Sequence, residues 1–243
     1  MIDLVLFDLD DTLHDDTQAC LLAGMEAAEE VAADRNIDAR SLADAYAREA
    51  ATFWHGLAVE NLKTSLRGLR ERMWERALAD LGIADPSLAR RVAQRYYDLR
   101  KKYFTLFPGA LELLEEQRER GRRLGILTNG FAETHVEKIA LLGLSDAVDA
   151  TFFADDAGLL KPDPAFFEHA CRRLGVAPTH AAMVGDRYDR DIAGALASGM
   201  TAIWLNIRGE SLPPGAPAPH ATVSAFSGVG RALETAAARS RNG

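Results

Sequence analysis

Only two cysteines occur in 243 residues, Cys20 and Cys171, far apart and each without a nearby cysteine. That spacing excludes a disulfide framework and a cysteine-ligated zinc site, and leaves two reduced, packed thiols as the expectation. The six histidines are scattered with no ligand spacing. Each is therefore expected at the surface or in a local cap, with His14 the exception to watch because it adjoins an acidic motif. A basic excess is also missing: the net charge is -8 and the pI about 5.3. This argues against nucleic-acid polymers and anionic membrane surfaces as partners. A single nucleotide stays admissible, since only local charge matters to it. No run of about 18 apolar residues is present, and no basic leader precedes the first apolar segment. Neither a membrane span nor a signal peptide is expected, and the expected location is cytoplasmic.

What is present begins at Leu4. The stretch LVLFDLDDTL opens with four apolar residues, Leu4 to Phe7, as a parallel strand buried on both faces does, and then places Asp8, Asp10 and Asp11 within four positions. Ligands of open α/β sheets bind at that carboxyl edge. Asp8 and Asp10 stand two apart, so on an extended chain their carboxylates crowd unless a cation offsets them. A hard divalent ion such as Mg²⁺, with one or two carboxylates, waters and substrate phosphate oxygens around it, is the natural remedy.

Three later segments repeat the pattern. RLGILTNG ends an apolar run in Thr128 and Asn129; LLKPDP carries Lys161; AAMVGDRYDRD ends another apolar run in Asp186, with Asp189 and Asp191 beyond. Together they supply a carboxylate nucleophile, a hydroxyl donor for phosphate, an ammonium and further metal-binding carboxylates. Phosphate monoester hydrolysis needs all of these, because accelerations of up to ~10²¹ demand that both nucleophile and phosphoryl oxygens be neutralised. Thr128 and the backbone N–H groups of Leu9 and Asn129 can donate to non-bridging oxygens without adding bulk. Covalent catalysis through a carboxylate splits the displacement, and one acid/base group can serve both halves.

In residue type and order these segments resemble the four motifs of the haloacid dehalogenase superfamily, in its phosphatase branch, over nearly the whole chain. The resemblance implies that Asp8 attacks phosphorus to give an aspartyl phosphate and that Asp10 protonates the leaving oxygen and then activates water. It implies substrate contacts from Leu9, Asp10, Thr128, Asn129 and Lys161, and Mg²⁺ held by Asp8, the backbone carbonyl of Asp10 and Asp186. RYDRD offers two candidates for the remaining carboxylate. The five-residue spacing of similar proteins favours Asp191 over Asp189, orienting Lys161 or a metal-bound water. Where many relatives carry Ser or Thr after the aspartate of the fourth motif, this chain has Arg187, expected to face solvent. Haloacid dehalogenases lack the second carboxylate that Asp10 provides, so dehalogenation ranks below phosphate release, and sugar-phosphate mutase chemistry stands nearer.

The expected fold is α/β: a Rossmann-like parallel sheet with helices on both faces, formed by residues 1–15 and 105–243, plus an inserted helical cap at 16–104. Strand-like runs begin near Leu4, Leu124, Thr151, Ala182 and Thr201, separated by helical stretches that stop at Gly121, Gly143, Gly175 and Gly199. About four amphipathic segments fit the insertion, near 17–34, 39–56, 64–81 and 86–103, with Asp16, Asp38 and Asp85 as N-caps and Leu21, Leu22, Met25 and Ala28 marking one apolar face. By resemblance the cap closes over the site and selects the substrate. The aromatic group Phe53, Trp54 and His55 and the basic set Lys63, Arg67, Arg70 and Arg72 read first as helix packing and solvation. TNG together with the later TAIWLNIRGE and its Pro-rich sequel is similar to bacterial pyrimidine 5′-nucleotidases and the N-acylneuraminate-9-phosphatase group. The expected partner is thus a small phosphate ester: nucleoside 5′-monophosphates lead, with phosphoglycolate and N-acylneuraminate 9-phosphate as alternatives. The tail from Thr235 is expected to fray.

Overall fold

The computed structural model describes residues 1–35 and 37–239. Contacts divide the chain into two compact units, Met1–Asp15 with the chain from Leu106 onward, and Asp16–Thr105.

The first unit is built on six parallel strands, β1 (Leu4–Phe7), β2 (Arg123–Thr128), β3 (Ala150–Phe153), β4 (Ala181–Gly185), β5 (Thr201–Leu205) and β6 (Ala221–Val223), in the order β3-β2-β1-β4-β5-β6. β1 and β4 are buried along their whole length, which is why both read as unbroken apolar runs. The chain builds outward from β1 through β2 to β3, then returns to the other side of β1 with β4. The order therefore reverses at the β1–β4 junction, where Phe7 pairs with Val184. Open α/β sheets bind ligands at such reversals, beyond the strands' carboxyl ends. In sequence order, the helices of this unit are α5 (Ala110–Glu119), α6 (Ala132–Leu141), α7 (Ala154–Ala157), α8 (Pro164–Arg173), α9 (Ala193–Ala197) and α10 (Val229–Arg239). The four helix-stopping glycines all take left-handed φ, from +66° at Gly175 to +77° at Gly121. α10 continues to Arg239, so the tail expected to fray is helical from Thr235 to Arg239, and residues 240–243 lie outside the described residues.

The second unit is four helices, α1 (Asp16–Ala33), α2 (Ala39–His55), α3 (Leu66–Asp80) and α4 (Pro86–Lys102), close to the segments read from the sequence. Asp38 and Asp85 cap as expected, accepting from the N–H groups of Ser41 and Leu88. Asp16 lies one position inside the expected cap, as the first helical residue of α1, and its carboxylate pairs with Arg100. Of the expected apolar face of α1, Ala28 is buried and Met25 packs against the core, but Leu21 and Leu22 are 54% and 39% exposed, and Ala19, Ala23, Ala27 and Val31 complete the inward face. Small residues let α1 pack closely against α2 and α4, so the inward stripe is the one that carries little hydrophobic bulk. Bulk is supplied by the aromatic centre, where Tyr46 stacks on Trp74 at 4.0 Å and Tyr96 meets Tyr46 edge-on at 4.8 Å. Phe53 packs against this centre, and Arg70 is buried beside Tyr96 and not on a solvated face. No helix among the described residues is long and apolar enough to cross a membrane.

Candidate active site

β1 ends at Phe7, yet the Asp8 N–H still donates to the Val184 carbonyl at 2.9 Å, which holds Asp8 at the reversal point of the sheet. The chain then turns sharply. The carbonyl of Leu9, whose side chain is fully buried, accepts from the N–H groups of Thr12, Leu13 and His14 at 3.0 to 3.3 Å, and Asp11 takes a left-handed φ of +60°. Thr12 fastens this turn to β4: its hydroxyl accepts the Asp186 N–H at 3.1 Å and donates to Asp186 Oδ1 at 3.4 Å. His14 is buried where the turn meets Leu106.

Lys161 is 4% exposed, and its ammonium lies 2.8 Å from Asp8 Oδ1 and 2.6 Å from Asp191 Oδ1. Its backbone is clamped from the end of β2: Asn129 Oδ1 accepts the Lys161 N–H at 2.8 Å and Asn129 Nδ2 donates to the Lys161 carbonyl at 3.0 Å. Both ends of the Asn129 amide thus position the lysine. Thr128 is buried, its hydroxyl accepting the Gly130 N–H at 3.0 Å.

The two candidates of the fourth motif separate cleanly. Asp189 is mostly exposed and pairs with Arg187, while Asp191 is fully buried and reaches Lys161. Asp191 Oδ2 also accepts the Arg187 N–H at 3.0 Å. Gly185 is what allows this: a Cβ there would lie 2.3 Å from Asp191 Oδ2. The Arg187 side chain does not simply face solvent; it closes on Asp189 through two bonds of 3.0 Å.

Oxygens of Asp8, Asp186 and Asp191 all lie within 4.8 Å of one another. One buried ammonium answers these three carboxylates, and the imbalance shows in their acidity. Burial pushes the Asp8 carboxyl up to about 7, with Lys161 opposing and Asp191 and Asp10 adding to the rise. Burial, then the charges of Asp191, Asp8 and Asp11, push Asp186 up to about 8 against the pull of Arg208. An all-oxygen, over-acidic pocket of this kind fits a hard divalent cation such as Mg²⁺. Asp191 is held tightly by Lys161 and the Arg187 N–H, at 2.6 and 3.0 Å, whereas the contacts of Asp186 with Thr12 and Arg208 are longer, 3.4 Å each, so Asp8 and Asp186 are the carboxylates better placed to turn to a cation. The sign of the pH effect follows. Both carboxyls bind protons more tightly folded than unfolded, where a carboxyl titrates near 3.8. Metal-free protein should therefore lose stability as pH rises from about 4 towards 8. Thermal denaturation with MgCl₂ and with chelator should show a larger rise in Tm on adding cation at pH 8 than at pH 5; an equal rise at both would refute the link.

Three further residues were not found from sequence. Arg208, in the loop after β5, reaches Asp11 at 2.6 Å and Asp186 at 3.4 Å. His135 and Lys138, both 1% exposed, contact the two oxygens of Asp10 from α6. The default placement of histidines at the surface is overturned at His135. α6 begins immediately after the TNG turn, and its inward face, Thr134, His135, Lys138 and Ile139, carries polar groups to the sheet edge. A lysine within a buried stripe was the available signal.

Strand order, the reversal point and a carboxylate–lysine cluster at the strands' carboxyl ends define an α/β protein with a charged site where such sheets bind ligands. Residues 2–199 match the model of the haloacid dehalogenase-like hydrolases, and the chain belongs to that family. It is 31% identical over 84% of each chain to the glyceraldehyde 3-phosphate phosphatase of Methanopyrus kandleri. It is 34% identical to the human N-acylneuraminate-9-phosphatase over 66% of each. With the phosphoserine phosphatase of Thermus thermophilus it shares 39% identity over 56% of this chain, and the match spans about half of that protein, 54%. Among solved structures, the 2-haloacid dehalogenase of Pseudomonas syringae pv. tomato is 31% identical with a TM-score of 0.67 over 97% of this chain and 99% of that one. The HAD-hydrolase YfnB of Bacillus subtilis, solved bound to magnesium, has the same fold at 22% identity, with a TM-score of 0.76 over 96% and 98% of the two chains.

Proposed function

We propose that this hydrolase is a Mg²⁺-dependent phosphomonoesterase of small phosphorylated metabolites that works through an aspartyl phosphate on Asp8. The observation that carries the reading is the placement of Asp8 at the sheet reversal, 2.8 Å from a buried ammonium and beside Asp186 and Asp191. An Asp8 oxygen attacks phosphorus as the ester P–O bond breaks, and the departing oxygen takes a proton from the Asp10 carboxyl. Water then attacks the phosphoryl group, Asp10 takes its proton, and the acyl–phosphate P–O bond breaks to return Asp8 and release phosphate. Lys161 holds Asp8 in line and offsets phosphoryl charge, with Asp191 and Asn129 fixing the lysine from either side. The Thr128 hydroxyl and the N–H groups of Leu9 and Asn129 donate to the non-bridging oxygens. Asp8, the Asp10 carbonyl and Asp186 would hold Mg²⁺, which when bound supplies positive charge for the phosphoryl oxygens.

Asp10 supports phosphate release over dehalogenation, because a departing halide needs no proton. The helical unit serves as the substrate-selecting cap. Among substrates, nucleoside 5′-monophosphates remain the sequence-based preference, and the named relatives add phosphoserine, glyceraldehyde 3-phosphate and N-acylneuraminate 9-phosphate as equal contenders. Phosphate release from these, from phosphoglycolate and from hexose phosphates, with Mg²⁺ and with chelator, tests the reading. Cation-dependent release is the expected result. Halide release from 2-haloacids, or transfer between sugar phosphates in place of release, would replace it.

A further inference from the structure

Resting on the phosphatase reading, we propose that His135 and Lys138 are positioning residues for Asp10, holding its carboxyl group in line with the ester oxygen that leaves and the water that follows. Asp10 sits on a turn, with its side chain 30% exposed, and two buried side chains of α6 reach its carboxylate. Lys138 Nζ lies 2.7 Å from Asp10 Oδ1 and His135 Nε2 lies 3.0 Å from Oδ2, one partner on each oxygen. Residues three apart on a helix share a face, so the two reach Asp10 as a fork.

The fork is itself held. The second ring nitrogen of His135 lies 3.0 Å from the Phe131 carbonyl and 3.1 Å from the Thr134 hydroxyl, which sets the plane of the imidazole. The ring lies directly on Gly130, where a Cβ would come within 2.2 Å of Nε2. Gly130 thus stands as the residue that makes room for the histidine. A buried lysine needs an anion beside it, and Asp10 supplies one at 2.7 Å. The arrangement links the end of β2 to Asp10: Thr128 and Asn129 address phosphate and lysine, and the next turn of chain addresses the acid/base group.

An acid/base group out of line by an ångström loses on the order of 10²-fold in rate. The loss falls on substrates whose leaving oxygen needs a proton and spares those whose leaving group departs unaided. The test is kcat/KM with Mg²⁺ for p-nitrophenyl phosphate, phenyl phosphate and an alkyl phosphate, on wild type, Lys138→Met, Lys138→Arg, His135→Gln and Gly130→Ala, with Asp10→Asn as reference. Lys138→Met, His135→Gln and Gly130→Ala should each lose ~10²-fold on the alkyl ester and less than ~5-fold on p-nitrophenyl phosphate. Lys138→Arg should recover most of the alkyl rate. Gly130→Ala displaces the ring without altering any ionisable group, so it keeps the test open should Lys138→Met fail to fold. Equal losses on all three esters, or wild-type behaviour where Asp10→Asn steepens the leaving-group dependence, would overturn the proposal. If Asp10→Asn itself left that dependence unchanged, the acid/base reading of Asp10 would fall first.

Discussion

Asp8→Asn should lower kcat by ~10⁴ to 10⁶-fold while leaving the fold intact, because the amide keeps the size of the side chain and loses the anionic oxygen that attacks phosphorus. The neighbouring carboxylates are committed elsewhere: Asp191 to Lys161 and the Arg187 N–H, Asp10 to α6, and Asp186 to the turn at Thr12 and to the cation it would hold. The stability effect should run opposite to the effect on rate. In its charged form Asp8 is disfavoured mainly by burial, and Lys161 offsets only part of this, which is why its carboxyl sits near 7. Replacing it by a neutral amide should raise the Tm of metal-free protein at pH 8 and shrink the rise that MgCl₂ brings. Phosphate release and thermal denaturation on one preparation read both. A variant that releases phosphate at the wild-type rate would refute the covalent mechanism, and one that is inactive but clearly less stable would refute the electrostatic account.

The parts of this molecule that were legible in its sequence share a physical cause. β1 and β4 lie between neighbours on both sides, so burial forces continuous apolar runs, and each run breaks into polar residues where the sheet ends. Motif and fold are therefore read from the same letters. Helix limits in the second unit were legible because Asp38, Asp85 and Pro86 leave chemical marks at helix starts. The buried face of α1 was legible only in part: Met25 and Ala28 lie inward, but alanines contribute little to a hydrophobic pattern and the larger Leu21 and Leu22 point outward. Contacts distant in sequence were also hidden. Asp10 meets His135 and Lys138 across 125 and 128 positions, and Arg208 meets Asp11 across 197. No local periodicity encodes such pairs. The choice of Asp191 over Asp189 came from family spacing and not from local chemistry, because both follow the same strand. Only the wide helical turn at Tyr188–Ile192, with Gly185 clearing space behind it, directs one carboxylate inward and the other to the surface.

Lys161→Ala should be the most damaging single change to stability in this site. Burial works against the charge of Lys161, and the two carboxylates outweigh it, so its pKa is raised. Its contribution is then fully present below the usual lysine range and is lost only as pH climbs above it, which covers all working conditions. Truncation leaves Asp8 and Asp191 facing each other with no counter-charge, and breaking a buried pair in this way costs about 3–5 kcal/mol. The cost should depend on pH. At pH 8 Asp8 must be ionised or take up a proton against solvent, whereas near pH 5 it is already protonated and its repulsion largely gone. Denaturation of Lys161→Ala at the two values should therefore show a markedly larger deficit at pH 8, which MgCl₂ partly relieves. Turnover should fall ~10² to 10³-fold even where the variant is folded, since the phosphoryl oxygens lose their fixed cation. Lys161→Met, which restores volume without charge, separates the effects: a variant as unstable as Lys161→Ala at pH 8 ties the loss to charge, and one restored to wild-type stability would show that packing, not ion pairing, keeps this lysine in place.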